Sequence, residues 1–114
     1  MKRFPSIRKN RDFQTVYRTG KSCANRQLVM YVKRTEEPAT RIGISVSKKV
    51  GNSVVRHHIT RLVRESFRLH MDMLETGCDI VVVARAAAKD SDYKTIERAF
   101  MPLCGLHNIV RESK

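Results

Sequence analysis

Hydrophobic and polar positions alternate with two different periods along the chain. A period of two, typical of strands, appears at residues 27–34 and 41–47. Lys21–Ala24 is a candidate for a further short strand. Residues 80–84 form an almost unbroken apolar run, which indicates a strand covered on both faces. These four segments predict a sheet of about four strands.

A period of about 3.6 residues predicts helices around these strands. Asn10 is the predicted cap of a short helix at residues 11–18. A long helix is predicted at about residues 52–74, with its cap at Asn52 or Ser53.

A third helix is predicted after a cap at Asp90 or Ser91. Pro102 and Gly105 disfavour an uninterrupted helix, so a kink or early fraying is expected there. The apolar positions predicted for the inner side of this helix are Ile96, Ala99, Phe100, Leu103 and Val110.

The element order α-β-β-β-α-β-α predicts an α/β (α+β) fold. We expect a single small domain over residues 1–114, with a mixed sheet of about four strands packed against helices. A chain of 114 residues can build one core but not two. The third strand, the long helix and the fourth strand form a crossover unit, which implies a parallel pair. Such crossovers are right-handed in nearly every protein, and nothing in these residues indicates the other hand.

The predicted long helix has one basic face and one apolar face. At about 100° per residue, one narrow face carries a basic stripe formed by His57, Arg61, Arg64 and Arg68. The opposite face carries Val55, Ile59, Leu62 and Val63. Glu65 is the only acidic residue between Arg41 and His70, whereas a solvated face normally mixes charges of both signs. The basic stripe therefore predicts binding to a polyanion, with a solvated charged face as the plainer alternative.

The net charge of +12 is concentrated in the first seventy residues. Residues 1–34 hold ten Lys or Arg and one acid, and residues 41–70 hold seven and one. Lys48, Lys49 and Arg56 precede the basic stripe. Because nucleic-acid phosphates release counterions to each matched cation, this distribution predicts a nucleic-acid partner. A membrane surface would instead need exposed bulky apolar residues on the helix, and no apolar run is long enough to span a bilayer.

Aromatic residues predict a second surface. Phe13 and Tyr17 are four residues apart and therefore share one side of the first helix. Tyr31 shares a strand face with Lys33, and the polar face of the next strand carries Arg41, Ser45 and Ser47. A helix beside this sheet face would form a shallow groove of rings, hydroxyls and cations, which suits unstacked nucleotides. The alternative is that the two rings of the helix only anchor it in the core, and these residues alone do not decide between the two.

Catalytic groups are not evident in the sequence. Metal-dependent phosphodiester cleavage by a protein needs convergent carboxylates. The acids of the basic half are scattered: Asp12, Glu36, Glu37 and Glu65. His57 and His58 are adjacent on a helix, so their side chains diverge by about 100° and cannot flank one phosphate. The chain is therefore expected to be non-catalytic and to hold no cofactor or metal of its own.

The three cysteines predict a reducing compartment. Cys23, Cys78 and Cys104 are odd in number and widely spaced, and no CxxC motif occurs, which favours packed thiols over disulfides or a zinc site. The start MKRFPSIRKNR has no apolar centre and does not read as a secretory signal. A cytoplasmic protein is expected.

The segment RIGISVSKKVGNSVVRHHITRLVRESFR, residues 41–68, resembles the hallmark segment of the bacterial ribonuclease P protein family. Three further segments agree with that family in the same order: KNRDFQTVYRTGKS, ANRQLVMY and DIVVVAR. The chain departs from the family at Arg56-His57-His58, where a run similar to Arg-Asn-Arg is usual, and at the following Ile59-Thr60, where a further basic residue is usual. Positive charges at positions 58 and 60 are therefore missing or conditional.

The resemblance implies a protein subunit of the ribonucleoprotein that removes the 5′ leader from precursor tRNA. Its RNA subunit would perform hydrolysis with Mg²⁺, and its partners would be that RNA and precursor tRNA, with no obligate protein partner. The predicted contacts to catalytic RNA are Lys48, Lys49, Asn52, Arg56, His57, Arg61, Arg64 and Arg68. The predicted contacts to the leader are Phe13, Tyr17, Asn25, Arg26, Tyr31, Lys33, Arg41, Ser45 and Ser47. The resemblance also implies the rare left-handed crossover.

A structural RNA-binding protein, such as a ribosomal component, is the second hypothesis. It would use the same basic helix but would need no groove for a single strand. A DNA-binding helix-turn-helix fits poorly, because no helix and short turn precede the basic helix.

Overall fold

The computed structural model describes residues 5–111 and has the predicted order of elements. The main elements are α1 (Asn10–Thr19), β1 (Lys21–Ala24), β2 (Leu28–Arg34), β3 (Arg41–Ser45), α2 (Ser53–His70), β4 (Cys78–Ala84) and α3 (Tyr93–Leu106). Short 3₁₀ turns follow α2 at Met71–Met73 and β4 at Ala86–Ala88. The predicted fold class, a mixed α/β protein with a four-stranded sheet, is confirmed.

The four strands lie in the order β1-β2-β4-β3. β2 pairs antiparallel with both β1 and β4, whereas β3 and β4 are parallel neighbours. This parallel pair, with Arg41 opposite Asp79 and Ser45 opposite Val83, confirms the crossover unit. The hand of the crossover stays a prediction.

Helices cover both faces of the sheet. α2 and α3 pack on one face, where Ile80 and Val82 of β4 join the main core with Phe67 and Phe100. α1 crosses the other face and belongs to a smaller cluster around Val81. β4 is thus buried on both faces, as its unbroken apolar run predicts.

The predicted cap of α2 is confirmed and that of α1 is wrong. Asn52 caps α2, and its side-chain oxygen accepts a hydrogen bond of 3.0 Å from the backbone N–H of Val55. α1 begins at Asn10 itself, and Lys9 occupies the cap position without a side-chain hydrogen bond. Because Asn10 already has helical backbone, its side chain lies within the first turn rather than before it.

The third helix begins later than predicted. Its cap is Asp92 rather than Asp90 or Ser91, and the Asp92 carboxylate accepts a hydrogen bond of 2.9 Å from the backbone N–H of Thr95. Three capping residues stand in a row here, and all of them satisfy the sequence rule equally well. The hydrogen bonds that the Asp92 carboxylate accepts from Thr95 also hold the pKa of Asp92 below its usual range.

Several helices and strands end at residues other than the predicted ones. β3 ends at Ser45, so Ser47 lies in the following turn, and α2 gives way to a 3₁₀ turn after His70. α3 continues through Pro102 to Leu106, so the predicted early fraying is wrong, whereas the alternative of a kink stays a prediction. Pro102 is exposed, so the carbonyl that loses its helical partner can reach water. Val110, predicted for the inner side of this helix, lies beyond its end and forms a bridge with Leu74.

We expect the folded protein to present one reactive thiol. Burial raises the pKa of Cys104 to about 12. Burial also raises the pKa of Cys78, so neither residue forms a reactive thiolate at neutral pH. Cys23 is half-buried on the edge strand β1. A thiol titration should therefore give one fast-reacting group in the folded state and three after unfolding. Three equally fast thiols in the folded protein would contradict this packing.

Candidate nucleic-acid interface

The basic stripe lies on the solvent side of α2. Its members are exposed: His57, Arg61, Arg64 and Arg68. The opposite side of α2 is held in the core by Ile59 and Val63, which are both fully buried. The two predicted faces of the long helix are therefore confirmed. α2 is capped by Asn52 and contains no Gly or Pro, so it is a regular helix that keeps the side chains of the stripe in one row.

One arginine of the stripe is paired and two are not. Arg68 donates two hydrogen bonds to the carboxylate of Glu65, one of them 3.3 Å long. This contact holds the pKa of Glu65 below its usual range and raises that of Arg68. Within residues 5–111, Arg61 and Arg64 form no ion pair. These two guanidinium groups are the most available for phosphates.

A basic turn leads into α2. Lys48 and Lys49 are exposed, while the next residue, Val50, is buried and anchors the turn to the main core. Arg56 follows on the first turn of α2 and is half-buried. Its Nε atom is buried without an acceptor from the described part of the chain. A buried donor without a partner is uncommon in folded proteins.

Aromatic rings lie where α1 meets the sheet. Phe13 covers Gly43, and a Cβ atom on that glycine would lie only 2.8 Å from the ring. Tyr17 meets Tyr31 edge to face, with ring centres 5.0 Å apart. All three rings are half-buried. They therefore anchor α1 and still present part of their surface, and binding of nucleotides by these rings stays a prediction.

The predicted groove is divided by α1. Val16 faces the sheet, and Phe13 and Tyr17 lie on one flank of the helix. Asp12 and Thr15 lie on the other flank. The depression on that second flank is lined by Asp12, Thr15, Lys33, Arg34, Thr35, Glu36, Glu37, Arg41 and Asp79. Two predicted leader contacts, at positions 33 and 41, are thus separated from the rings, and the prediction of one continuous groove is wrong.

Arg41 is held by carboxylates on two other elements. Its Nε and one terminal nitrogen donate to the two carboxylate oxygens of Asp79 at 2.9 Å and 2.7 Å. A second terminal nitrogen lies 3.5 Å from the carboxylate of Asp12. The hydrogen bond with Asp79 raises the pKa of Arg41. The guanidinium therefore ties α1, β3 and β4 together on the side away from the rings.

Arg41→Ala is expected to destabilise the fold. Asp79 is only 6% exposed, so its carboxylate would be left buried without its bidentate partner. The loss should be about 1–3 kcal/mol in the free energy of unfolding. Urea unfolding would measure it. The double variant Arg41→Ala with Asp79→Ala removes the stranded charge and should recover part of the loss, whereas additive losses would show that the two residues do not interact.

The remaining predicted contacts occupy the turn between β1 and β2 and the end of β3. Asn25 donates to the carbonyl of Ala99 at 2.8 Å and accepts from the backbone N–H of Leu28 at 3.0 Å, which fastens the turn to α3. Arg26 is exposed beside it. Ser45 stands opposite Val83, and Val83 belongs to the cluster that contains the rings.

Basic residues collect at one end of the sheet. β3 and β4 end there, the β1–β2 turn lies there and α2 begins there. The cations of this end are Arg26, Lys48, Lys49, Arg56 and Arg85. Arg85 was not among the predicted contacts; it is exposed and donates to the carbonyl of Asn25 at 2.8 Å. Its position directly after a buried strand is the signal that could have identified it.

The described residues offer no assembled metal site. Within residues 5–111, no three His, Cys, Asp or Glu side chains converge to hold an ion. In the same part of the chain, no helix combines the length and the apolar character that crossing a bilayer requires.

The fold and its cationic end define a small basic α/β protein built to bind nucleic acid. A family model described as Ribonuclease P matches residues 1–106. The chain belongs to the ribonuclease P protein family, the protein component of an endoribonuclease that processes tRNA. The predicted resemblance is thereby confirmed, and the hypothesis of a ribosomal component is not.

Curated relatives and solved structures agree along nearly the whole chain. The ribonuclease P protein component of Lachnoclostridium phytofermentans is 52% identical over 109 residues, covering 96% of this chain and 94% of its own. That of Clostridium botulinum is 48% identical, covering 90% and 96%. The RNase P protein of Staphylococcus aureus superposes with a TM-score of 0.87 at 39% identity, covering 96% and 100%. That of Thermotoga maritima has a TM-score of 0.80 at 30% identity, covering 87% and 94%.

Proposed function

We propose that the protein holds two RNA molecules on two opposite sides of its sheet. The basic stripe of α2, with Lys48, Lys49 and Arg56, docks on the catalytic RNA. The rings of α1 and β2 hold the 5′ leader of precursor tRNA. The observation that carries this division is that α1 and α2 lie on opposite faces of one sheet, while both surfaces reach its cationic end. Both RNAs can therefore be bound together.

The leader path is assigned to the ring side of α1. Phe13, Tyr17 and Tyr31 offer partly exposed rings on which unstacked bases can stack. Arg26 lies at the cationic end of the same sheet, where it can hold the leader backbone. The other flank of α1 is lined by four carboxylates and three cations, which disfavours a phosphate chain there. In this assignment Arg41 positions α1 rather than contacting the leader.

Hydrolysis is assigned to the RNA subunit with its magnesium ions. Within residues 5–111 the carboxylates are engaged in pairs or capping, or they lie far apart, so this part of the chain supplies no convergent ligand set for such ions. What the protein contributes is charge neutralisation and positioning of the substrate. Its unpaired thiols suit a reducing cytoplasm.

Purification of the tagged protein from its own cells tests this function. One discrete structured RNA together with tRNA precursors should copurify, and both should be lost in high salt because phosphate contacts dominate the affinity. Recovery of whole ribosomal subunits in place of a discrete RNA would contradict the proposal.

A further inference from the structure

A small pocket lies between α2 and α3, directly beside the basic stripe. It encloses about 310 Å³ and is lined by His58, Arg61, Leu62, Glu65 and Tyr93. Arg61 and Leu62 each lie three or four positions from both His58 and Glu65, so the four α2 residues form one continuous flank of the helix. Tyr93, the first residue of α3, forms the opposite wall. The pocket is near the lower limit of sites that hold small planar ligands, about 300 Å³.

Hydrogen bonds hold one wall of this pocket in place. The Tyr93 hydroxyl donates to Glu97 at 3.0 Å, and the same carboxylate oxygen lies 2.7 Å from Nε2 of His70. These contacts anchor the half-buried Tyr93 side chain, which lines the pocket. His58, which is exposed, lines the same pocket. Where the family resemblance leads one to expect a cation at position 58, this chain has an imidazole, which is a planar group that can stack.

The polar groups of the pocket suit a nucleotide. Arg61 belongs both to the pocket and to the basic stripe, so a phosphate bound by Arg61 would place its own base at the entrance. Glu65 is oriented by its hydrogen bonds from Arg68 and presents a carboxylate acceptor. A carboxylate accepts from the exocyclic amino groups of adenine, cytosine and guanine, whereas uracil has no amino group and offers only its ring N3–H.

We propose that this pocket binds one unpaired nucleobase of the catalytic RNA that carries an exocyclic amino group, stacked between Tyr93 and His58. The inference rests on the proposed docking of the basic stripe on that RNA. It adds a base-reading contact to a surface otherwise made of phosphate contacts. RNA sequence is read in this way from unstacked bases held by aromatic rings and hydrogen bonds.

Chemical probing of the reconstituted complex tests the proposal. Dimethyl sulfate methylates unpaired adenine and cytosine, kethoxal modifies unpaired guanine, and hydroxyl radicals report on the RNA backbone. With the wild-type protein, at least one of these bases should be protected from its reagent. Tyr93→Leu should restore its reactivity and weaken binding by about 5- to 150-fold, the range for loss of one stacked base. Tyr93→Phe keeps the ring without the hydroxyl and should retain the protection.

The outcomes separate this inference from the proposed function. If the backbone footprint forms but the base reactivities are the same with wild-type protein and Tyr93→Leu, the pocket binds no base and only this inference fails. If neither the wild-type protein nor the variants give a backbone footprint on the catalytic RNA, the proposed docking itself fails. Should Tyr93→Leu not fold, His58→Ala changes an exposed side chain and should expose the same base. Unchanged reactivity in that variant would overturn the stacking.

Discussion

Replacing Arg61, Arg64 and Arg68 together with alanine is expected to weaken binding of the catalytic RNA by roughly a hundredfold at 0.1 M salt. Each lost phosphate contact should make the slope of log K against log salt shallower by about 0.7–0.9, or about 2–3 for all three. The fold should survive, because the three side chains are exposed and the buried face of α2 is unchanged. Titrations at several salt concentrations measure both quantities.

The single variants should not be equal. Arg68 already pairs with Glu65, so part of its charge is neutralised before RNA binds. Arg61→Ala and Arg64→Ala should therefore each cost more affinity than Arg68→Ala. The matched control removes three exposed cations near and along α3, namely Lys89, Lys94 and Arg98. If that control flattens the salt dependence as much as the stripe variant does, binding follows net charge and not this surface.

Loss of an aromatic ring beside α1 should affect only substrates that carry a leader. Tyr17→Leu and Tyr31→Leu keep apolar bulk in the cluster with Val16 and Val81 but remove the face on which a base stacks. One stacked base contributes about 1–3 kcal/mol, so affinity for precursor tRNA should fall by up to roughly a hundredfold. Affinity of the holoenzyme for mature tRNA should stay within about twofold, because that product has no leader to lose.

The conservative variant Tyr17→Phe serves as the control for this experiment. It keeps the ring and its edge-to-face contact with Tyr31, so it should bind leader-bearing substrate nearly as well as the wild-type protein. If the leucine variants lose equal affinity for precursor and mature tRNA, both tyrosines have a purely structural role. Thermal unfolding of each variant separates that outcome from simple loss of fold.

The elements that could be predicted from the sequence depend on local periodicity. The stripe of α2 was predicted correctly because helical geometry alone fixes which side chains share a face. β4 was predicted correctly because an apolar run without alternation needs cover on both sides. The capping residue of α3 could not be predicted from local sequence. Asp90, Ser91 and Asp92 are consecutive and all satisfy the capping rule, so only the packed position of α3 selects Asp92.

The groove could not be predicted in full because it depends on tertiary docking. Strand alternation places Arg41 on the face that α1 covers, which is correct. It does not reveal that Asp79, 38 residues away, holds its guanidinium. Nor does it reveal on which flank of α1 each side chain lies once the helix is docked. The role of Asn25 as a fastening between the β1–β2 turn and α3 depends on a contact 74 residues distant.

Site-specific photocrosslinking in the complete complex tests the two-sided arrangement most directly. A benzophenone side chain would replace Tyr31 on one side of the sheet or Arg61 on the other, and each protein would be assembled with catalytic RNA and precursor tRNA. The probe at position 31 should crosslink to leader nucleotides, and the probe at position 61 should crosslink to the catalytic RNA. Crosslinks from both positions to the same RNA, or from position 61 to the leader, would contradict the assignment of the two faces to two RNA molecules.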